Sequence, residues 1–134
     1  MTESEKDARA IILLIEEDDD TRLIFKEMLK NKGYKVKLTI NEDDALEKAG
    51  NGIGKVDVVL VDLVRKPTKE ILKAGERIRE KGRLNVPVIA IAEEYKDELQ
   101  GTSVQIGENE YVVYLKDLVE LFDLLSKLTT AKPS

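Results

Sequence analysis

Apolar runs alternate with amphipathic segments along most of the chain, in the order expected of strands followed by helices. The runs at residues 11–15 and 58–61 are continuously aliphatic, which is typical of central parallel strands. The run at residues 34–40 alternates polar and apolar residues, which favours an edge strand with one wet face. Strands are predicted over residues 10–16, 34–40, 56–62, 86–92 and 111–114.

The segments between these strands space their apolar residues as helices do. Helices are predicted from the acids after strand one to Lys32, from Asn41 to Ala49, from Pro67 to Gly82 and from Leu115 to Leu128. A weaker helical pattern covers residues 93–100, whereas residues 101–107 are poor helix sequence. Alternating strands and helices predict an α/β fold, with a five-stranded parallel sheet that carries helices on both faces.

The helical spacing also predicts which side chains face the core. The first helix is expected to turn four apolar residues inward: Ile24, Phe25, Met28 and Leu29. The third is expected to bury Ile71, Leu72 and Ile78. Gly75 lies inside that helix, where glycine costs about 1 kcal/mol, so we expect close packing there.

The last helix has more apolar residues than one core-facing stripe requires. They are Leu115, Leu118, Val119, Leu121, Phe122, Leu124, Leu125 and Leu128. A well-buried helix is the favoured interpretation. The alternative is that its outer leucines form a surface for a downstream protein partner or for a homodimer.

Carboxylates follow two of the predicted strands. Strand one runs into five consecutive acids, residues 16–20, and strand three ends at Asp62. Parallel neighbouring strands end at the same sheet edge, where α/β folds place ligands, so these groups are expected to form an acidic pocket. Carboxylates that lie close together repel one another, which favours binding of a cation, a proton or a phosphoryl group. The simpler alternatives are that Asp62 caps the next turn and that Asp18, Asp19 and Asp20 form a solvated helix start.

Composition narrows the classes of function. The chain has no Cys and no His, which excludes disulfides, thiolate catalysis, most transition-metal sites and phosphohistidine chemistry within it. The net charge is −5 and no basic stripe is interleaved with aromatics, which argues against a nucleic-acid partner.

Length and the first residues bear on domain organisation and location. The 134 residues suit one domain, predicted over 10–128, with disordered ends at 1–9 and 129–134. No apolar run approaches the roughly 20 residues of a membrane helix, and the first residues lack signal-peptide order. A cytoplasmic protein with no membrane contact is therefore expected.

Several of these segments resemble the receiver domains of two-component response regulators, built like the chemotaxis regulator. ILLIEEDDDTRLIFKEMLKNKGY is similar to that family's first strand, acidic pair and first helix, and VDVVLVDL to the strand with its phosphoaccepting aspartate. VPVIAIA and EYVVY are similar to its fourth and fifth strands. The resemblance covers residues 10–128 and implies a flavodoxin-like (βα)5 fold, phosphorelay signalling and no enzyme activity of its own.

The resemblance also implies roles for individual residues. Asp62 matches the phosphoacceptor, Glu16 and Glu17 match the acids that hold Mg²⁺, and the backbone carbonyl of Val64 matches the third protein ligand of the metal. Tyr111 matches the aromatic residue that swings inward on activation. A sensor histidine kinase or a phosphotransfer protein is the implied phosphoryl donor, and output is expected through protein contact.

Other positions depart from the family pattern. Ala92 replaces the Ser or Thr whose hydroxyl bonds the phosphoryl group, Glu93 replaces a small residue, and Tyr114 replaces the Lys that pairs with the phosphoryl oxygens. Because these groups are missing, an alternative is that the chain keeps the receiver fold but acts as an interaction scaffold without phosphorylation. A third alternative is a phosphatase of the haloacid dehalogenase type, because residues 17–21 distantly resemble its Asp-x-Asp-x-Thr motif. Its nucleophile would then be Glu17, which is the wrong residue.

Overall fold

The computed structural model describes residues 10–92, 101–115 and 118–130. These ranges contain strands β1 (Ile11–Glu16), β2 (Lys35–Thr39), β3 (Val58–Asp62), β4 (Val88–Ala92), β5 (Thr102–Gln105) and β6 (Glu110–Tyr114). They also contain helices α1 (Asp19–Asn31), α2 (Glu42–Gly50), α3 (Thr68–Lys81) and α4 (Val119–Thr130). The described residues do not include the predicted helix at residues 93–100, the predicted disordered segment 1–9, or residues 131–134 of the predicted disordered tail 129–134.

The strands form one sheet in the order β2-β1-β3-β4-β6-β5. Neighbouring strands from β2 to β6 run parallel, as predicted, and β2 lies at the predicted edge. Aliphatic residues on both sides of β1 and β3 explain their central place, because a parallel strand between two helical layers is buried on both faces.

Two apolar clusters hold the helices to the sheet. Leu13 and Ile15 of β1 face the cluster that includes α2 and α3. Ile12 and Leu14 face the other side, where α1 and α4 pack. This alternation follows directly from the period of two in strand side chains.

The helix ends follow local sequence signals. Asp18 caps α1 by accepting a hydrogen bond from the amide of Asp20, and Asn41 caps α2 by accepting one from the amide of Asp44. Gly33 follows the end of α1 with a φ of 96°, a conformation that glycine adopts without steric cost.

The prediction that Gly75 allows close packing is confirmed. A Cβ atom at this position would overlap Cγ1 of Val88 and would lie 3.1 Å from Cγ2 of Val61. Ile71 and Ile78 of the same helix are buried, and Leu72 packs partly buried against the same cluster.

The prediction of a purely parallel five-stranded sheet is wrong at one edge. Residues 102–105 form β5, which runs antiparallel to β6 and makes a sixth strand. Its residues are mostly exposed and polar, and an exposed strand shows no apolar alternation by which the sequence could reveal it. The turn through Gly107 brings the strand back onto β6, since the amides of Ile106 and Gly107 both donate to the carbonyl of Glu110.

The predicted inner face of α1 is half wrong. Phe25 and Leu29 are buried, but Ile24 is 63% exposed and Met28 is 38% exposed. The apolar residues of α1 span more of the helix surface than the sheet can cover. Phe25 and Leu29 therefore face the core, whereas Leu23, Ile24 and Met28 face solvent.

The last helix is a buried helix, as favoured. Leu121, Leu124 and Leu125 are buried, and Leu118, Phe122 and Leu128 pack partly buried against the same cluster. Val119 alone among the described apolar residues of α4 is strongly exposed, at 61%. The helix extends to Thr130, past the predicted end of the domain at residue 128. Within the described ranges, no helix combines the length and apolar character needed to cross a membrane.

Candidate functional site

The carboxyl ends of β1 and β3 bring Glu16 and Asp62 side by side. The two residues are direct partners in the parallel register of these strands. The amide of Glu17 donates to the carbonyl of Asp62 at 3.3 Å, which extends the pairing past the strand end. The predicted meeting of the two acidic segments at one sheet edge is therefore observed.

The Glu16 side chain is almost completely buried, with 1% of its surface exposed. Its Oε2 accepts a hydrogen bond from the amide of Asp18 at 3.2 Å. Its Oε1 is buried, and no described donor reaches it. Burial first, and then hydrogen bonding and charge from Asp62, raise the pKa of Glu16 to about 9. Two carboxyls can share a hydrogen bond only if one of them carries a proton. When both are ionised, two negative charges lie side by side, and a cation is needed to compensate them.

Glu17 points to the loop after β3. Its Oε1 accepts a hydrogen bond from the backbone amide of Val64 at 2.7 Å. This contact ties the start of α1 to the residues that follow Asp62. It also means that Glu17 and Val64 meet through the Val64 amide, whereas the resemblance assigned the metal to the Val64 carbonyl.

Arg22 holds the turn between β1 and α1 in place. Its guanidinium donates to the carbonyl of Glu16 at 2.8 Å and to the carbonyl of Glu17 at 3.1 Å. The same group pairs with the Asp19 carboxylate at 2.8 Å. Sequence reasoning missed this positioning residue, because an arginine in the first turn of a helix resembles any solvated surface charge.

The middle of the acidic run serves the helix start. Thr21 donates its hydroxyl to Asp18 Oδ2 at 2.5 Å. That bond and the bond from the Asp20 amide lower the pKa of Asp18. Asp19 and Asp20 are exposed, which agrees with the simpler interpretation of these acids as a solvated helix start.

The positions that depart from the family pattern lie on the neighbouring strands. Ala92 is buried and pairs with Tyr114 in the register of β4 and β6. Tyr114 packs partly buried against the α2–α3 cluster, whereas Tyr111 packs partly buried against the α1–α4 cluster. At the two positions where the resemblance leads us to expect a hydroxyl and an ammonium, this chain has a methyl group and a packed aromatic ring. Glu93 lies outside the described residues.

Residues 64–67 of the loop after Asp62 are exposed, and two of them are basic. Arg65 has a φ of 58°, in the left-handed region that favours glycine. The charge of Lys66 acts on Glu42, where it adds to the Arg77 ion pair in lowering the pKa of that carboxyl.

Within residues 10–92, 101–115 and 118–130, no three acidic side chains lie close enough together to hold a metal ion. Glu16 and Asp62 do meet, and Glu17 is turned toward the Val64 amide. The structure thus unites two of the three carboxylates predicted for Mg²⁺.

Comparison with known proteins shows which proteins this chain resembles. The family model of the response regulator receiver domain matches residues 12–126. An uncharacterized 14.6 kDa protein of Leptolyngbya boryana is 29% identical, over 94% of this chain and 95% of its own. The transcriptional regulatory protein DltR of Streptococcus agalactiae is 28% identical over 75% of this chain, and that match spans 43% of DltR.

Solved structures give the same result. The receiver domain of a sensor histidine kinase from Pseudomonas aeruginosa, with magnesium in its active-site cleft, matches with a TM-score of 0.63. It is 25% identical over 91% of this chain and 98% of its own. The response regulator TrrA in complex with the histidine kinase ThkA matches with a TM-score of 0.62, at 25% identity over 89% of this chain and 97% of its own. The flavodoxin-like receiver fold predicted from the sequence is confirmed.

Proposed function

Because this chain belongs to the response regulator receiver domain family, we propose that it accepts a phosphoryl group on Asp62 as a signalling module of a two-component system. A carboxylate oxygen of Asp62 attacks the phosphorus of a phosphohistidine on a partner kinase or phosphotransfer protein. The bond between phosphorus and the histidine nitrogen breaks, and that nitrogen keeps the electron pair.

One observation carries this proposal: the buried Glu16 carboxyl, whose Oε1 has no described donor, lies beside Asp62 in strand register. A purely structural site would place a hydrogen-bond donor or a basic side chain against a buried carboxyl oxygen. Instead a second carboxyl lies there, and this raises the pKa of Glu16. Such a pair suits a site that is completed by a positive charge from outside the chain.

Mg²⁺ is the proposed cation, because hard divalent ions prefer carboxylate oxygens. Glu16 and Asp62 fit such an ion through the buried oxygen that lacks a donor. Glu17 and the Val64 carbonyl remain proposed ligands, and Glu17 would have to release the Val64 amide to take that role. When bound, the ion neutralises the carboxylates and the phosphoryl oxygens. The histidine kinase seen with TrrA supports a kinase as the partner of this chain.

The test is intact-mass analysis after incubation with Mg²⁺ and acetyl phosphate. We expect a gain of one phosphoryl group in the wild-type protein and no gain in Asp62→Asn. Asp19→Asn is the matched control, since Asp19 is an exposed acid of the same segment, and it should gain the group as wild type does. Phosphorylation of Asp62→Asn, or none in wild type, would contradict the proposal.

A second candidate function is an interaction scaffold that keeps the receiver fold without phosphorylation. The Ala92–Tyr114 pair favours it, because the alanine has no hydrogen-bonding group, the tyrosine brings no positive charge to a phosphoryl oxygen, and its ring packs against the α2–α3 cluster. The mass experiment separates the two functions. A wild-type protein that stays unmodified, and whose NMR spectrum does not change with Mg²⁺ and beryllofluoride, would favour the scaffold.

A further inference from the structure

The antiparallel strand β5 ends the sheet, and in the part of the chain that the structure describes no strand lies beyond it. Its side chains are largely open to solvent: Val104 is 40% exposed and Ile106, just after the strand, is 57% exposed. An open edge strand offers its backbone groups to another strand. Proteins usually protect such edges with charges, prolines or bulges.

The direction of the β5 backbone groups follows from its pairing. The amide of Val88 donates to the carbonyl of Asn109. The backbone groups of Asn109, Tyr111 and Val113 therefore point toward β4. The backbone groups of Glu110, Val112 and Tyr114 point the other way, toward β5. The hydrogen bond from the amide of Ile106 to the carbonyl of Glu110 agrees with this. In the β5–β6 register, Val104 pairs with Val112 and faces inward. The backbone groups of Ser103 and Gln105 consequently point to the outer edge.

The sequence of this edge carries no charge that would repel a copy of itself. Residues 101–107 contain no Asp, Glu, Lys or Arg, although these residue types make up 37% of the chain. The opposite edge, β2, carries Lys35 and Lys37, which is a common protection against edge pairing. Within the described residues, the β2 strand thus carries charges that protect its edge, whereas the β5 strand carries none.

We propose that β5 pairs antiparallel with β5 of a second copy of this chain, across a two-fold axis at Val104. In this register Ser103 lies opposite the Gln105 of the other copy, and their outward amides and carbonyls form the hydrogen-bonded pairs. The two Val104 residues form the central pair without hydrogen bonds, in which side chains approach most closely. Thr102 then lies opposite Ile106 of the other copy.

A second copy fits this edge better than an unrelated strand for two reasons. An isologous contact must be self-complementary, and a short neutral strand with a valine at its centre satisfies that condition. Val104 and Val112 lie on the face of the sheet that holds the α2–α3 cluster, so apolar contacts at Val104 extend this layer across the axis. Because a four-residue strand buries little area, the dimer should be weak and should depend on concentration.

Charge exchange at Val104 tests the register. Sedimentation equilibrium should show that wild type shifts toward twice the monomer mass as its concentration rises. Val104→Lys should remain monomeric, because two like charges face each other across the axis. Val104→Glu should also remain monomeric, and an equimolar mixture of the two variants should recover the doubled mass. Circular dichroism of each variant checks that the fold is retained.

Val119→Lys is the matched control. Val119 is exposed on α4, so this variant places the same charge on the helix surface that was considered for dimerisation. It should dimerise as wild type does. A wild type that is monomeric at every soluble concentration, a dimer that withstands Val104→Lys, or a dimer that only Val119→Lys disrupts would each overturn the proposal.

A single cysteine gives an independent readout, because the natural chain has none. In the proposed register the two Val104 Cα atoms are about 4.5 Å apart, within the range that a disulfide spans. Val104→Cys should therefore oxidise to a covalent dimer, whereas Ile40→Cys, exposed just after the edge strand β2, should not. Equal crosslinking of both variants would contradict pairing through β5.

Discussion

Glu16 shows how one buried carboxyl links the stability of the domain to pH. Its ordinary pKa is 4.5, and burial beside Asp62 raises it to about 9. Between these values the native state holds a proton that the unfolded chain has already released. The contribution of Glu16 is therefore fully present below its unfolded pKa and is lost as pH rises toward its native pKa.

We expect Glu16→Gln to remove this dependence, since a glutamine keeps the shape and never ionises. In EDTA, the free energy of unfolding of wild type should fall between about pH 5 and about pH 8, on the order of a few kcal/mol, because each pKa unit is worth about 1.4 kcal/mol. Glu16→Gln should flatten this slope and be the more stable protein at the upper end. Urea titrations across the range measure it.

Glu42→Gln is the control for that experiment. The ion pair with Arg77 lowers the pKa of Glu42, so its contribution is lost only as pH falls through the native pKa, below the range of the experiment. The slope between about pH 5 and about pH 8 should match wild type in this variant. A Glu16→Gln protein with the wild-type slope would show that another group controls the pH dependence.

Among the elements, α3 depends on a glycine for its distance from the sheet. Gly75→Ala should destabilise the domain by about 1–3 kcal/mol, because the new methyl group overlaps Val88. The free-energy cost of this overlap should exceed the gain from the higher helix propensity of alanine. Glu76→Ala, on the exposed face of the same helix, should change stability by less than about 0.5 kcal/mol. Chemical denaturation of both variants measures the difference.

The Gly75 argument has a direct check in a double-mutant cycle. Val88→Ala removes the atom that the added methyl group would meet. Adding Gly75→Ala to Val88→Ala should therefore cost less than adding it to wild type. Equal costs in the two backgrounds would place the strain elsewhere.

The last helix carries its leucines in the core, which changes how it can be tested. Leu124 is 7% exposed, so Leu124→Arg should unfold or strongly destabilise the domain, by more than about 3 kcal/mol, through a buried unpaired charge. Val119→Lys should leave the melting temperature nearly unchanged. A stable Leu124→Arg protein in thermal melts would mean that α4 packs differently in solution.

The order of elements and the pairing of acids could be predicted because each rests on a local pattern. Aliphatic runs marked β1, β3 and β4, and the parallel register then placed Glu16 beside Asp62. Strand β5 could not be predicted, since its exposed polar residues make few core contacts. The orientation of Glu17 also depends on one hydrogen bond to a distant loop, which no spacing in the sequence specifies.

For the whole molecule, the question is whether a change at Asp62 reaches the edge where β5 and β6 lie. Ala92 stands between them in the sheet and offers only a methyl group, and its partner Tyr114 is packed against the core. The Ala92 methyl group cannot form a hydrogen bond to a new charge at Asp62, and the Tyr114 ring is held against the α2–α3 cluster. The site and the β5 edge should therefore be weakly coupled.

We expect Mg²⁺ and beryllofluoride to shift amide NMR signals near residues 16–22 and 62–66 and to leave those of residues 102–114 unchanged. Ala92→Ser restores a hydroxyl at the end of β4 with little added volume, so in this variant the shifts should extend into β6. Asp62→Asn is the control that should show no beryllofluoride response in either background. Shifts that reach residues 102–114 in wild type would show that the domain switches without the hydroxyl, through contacts other than the Ala92–Tyr114 pair.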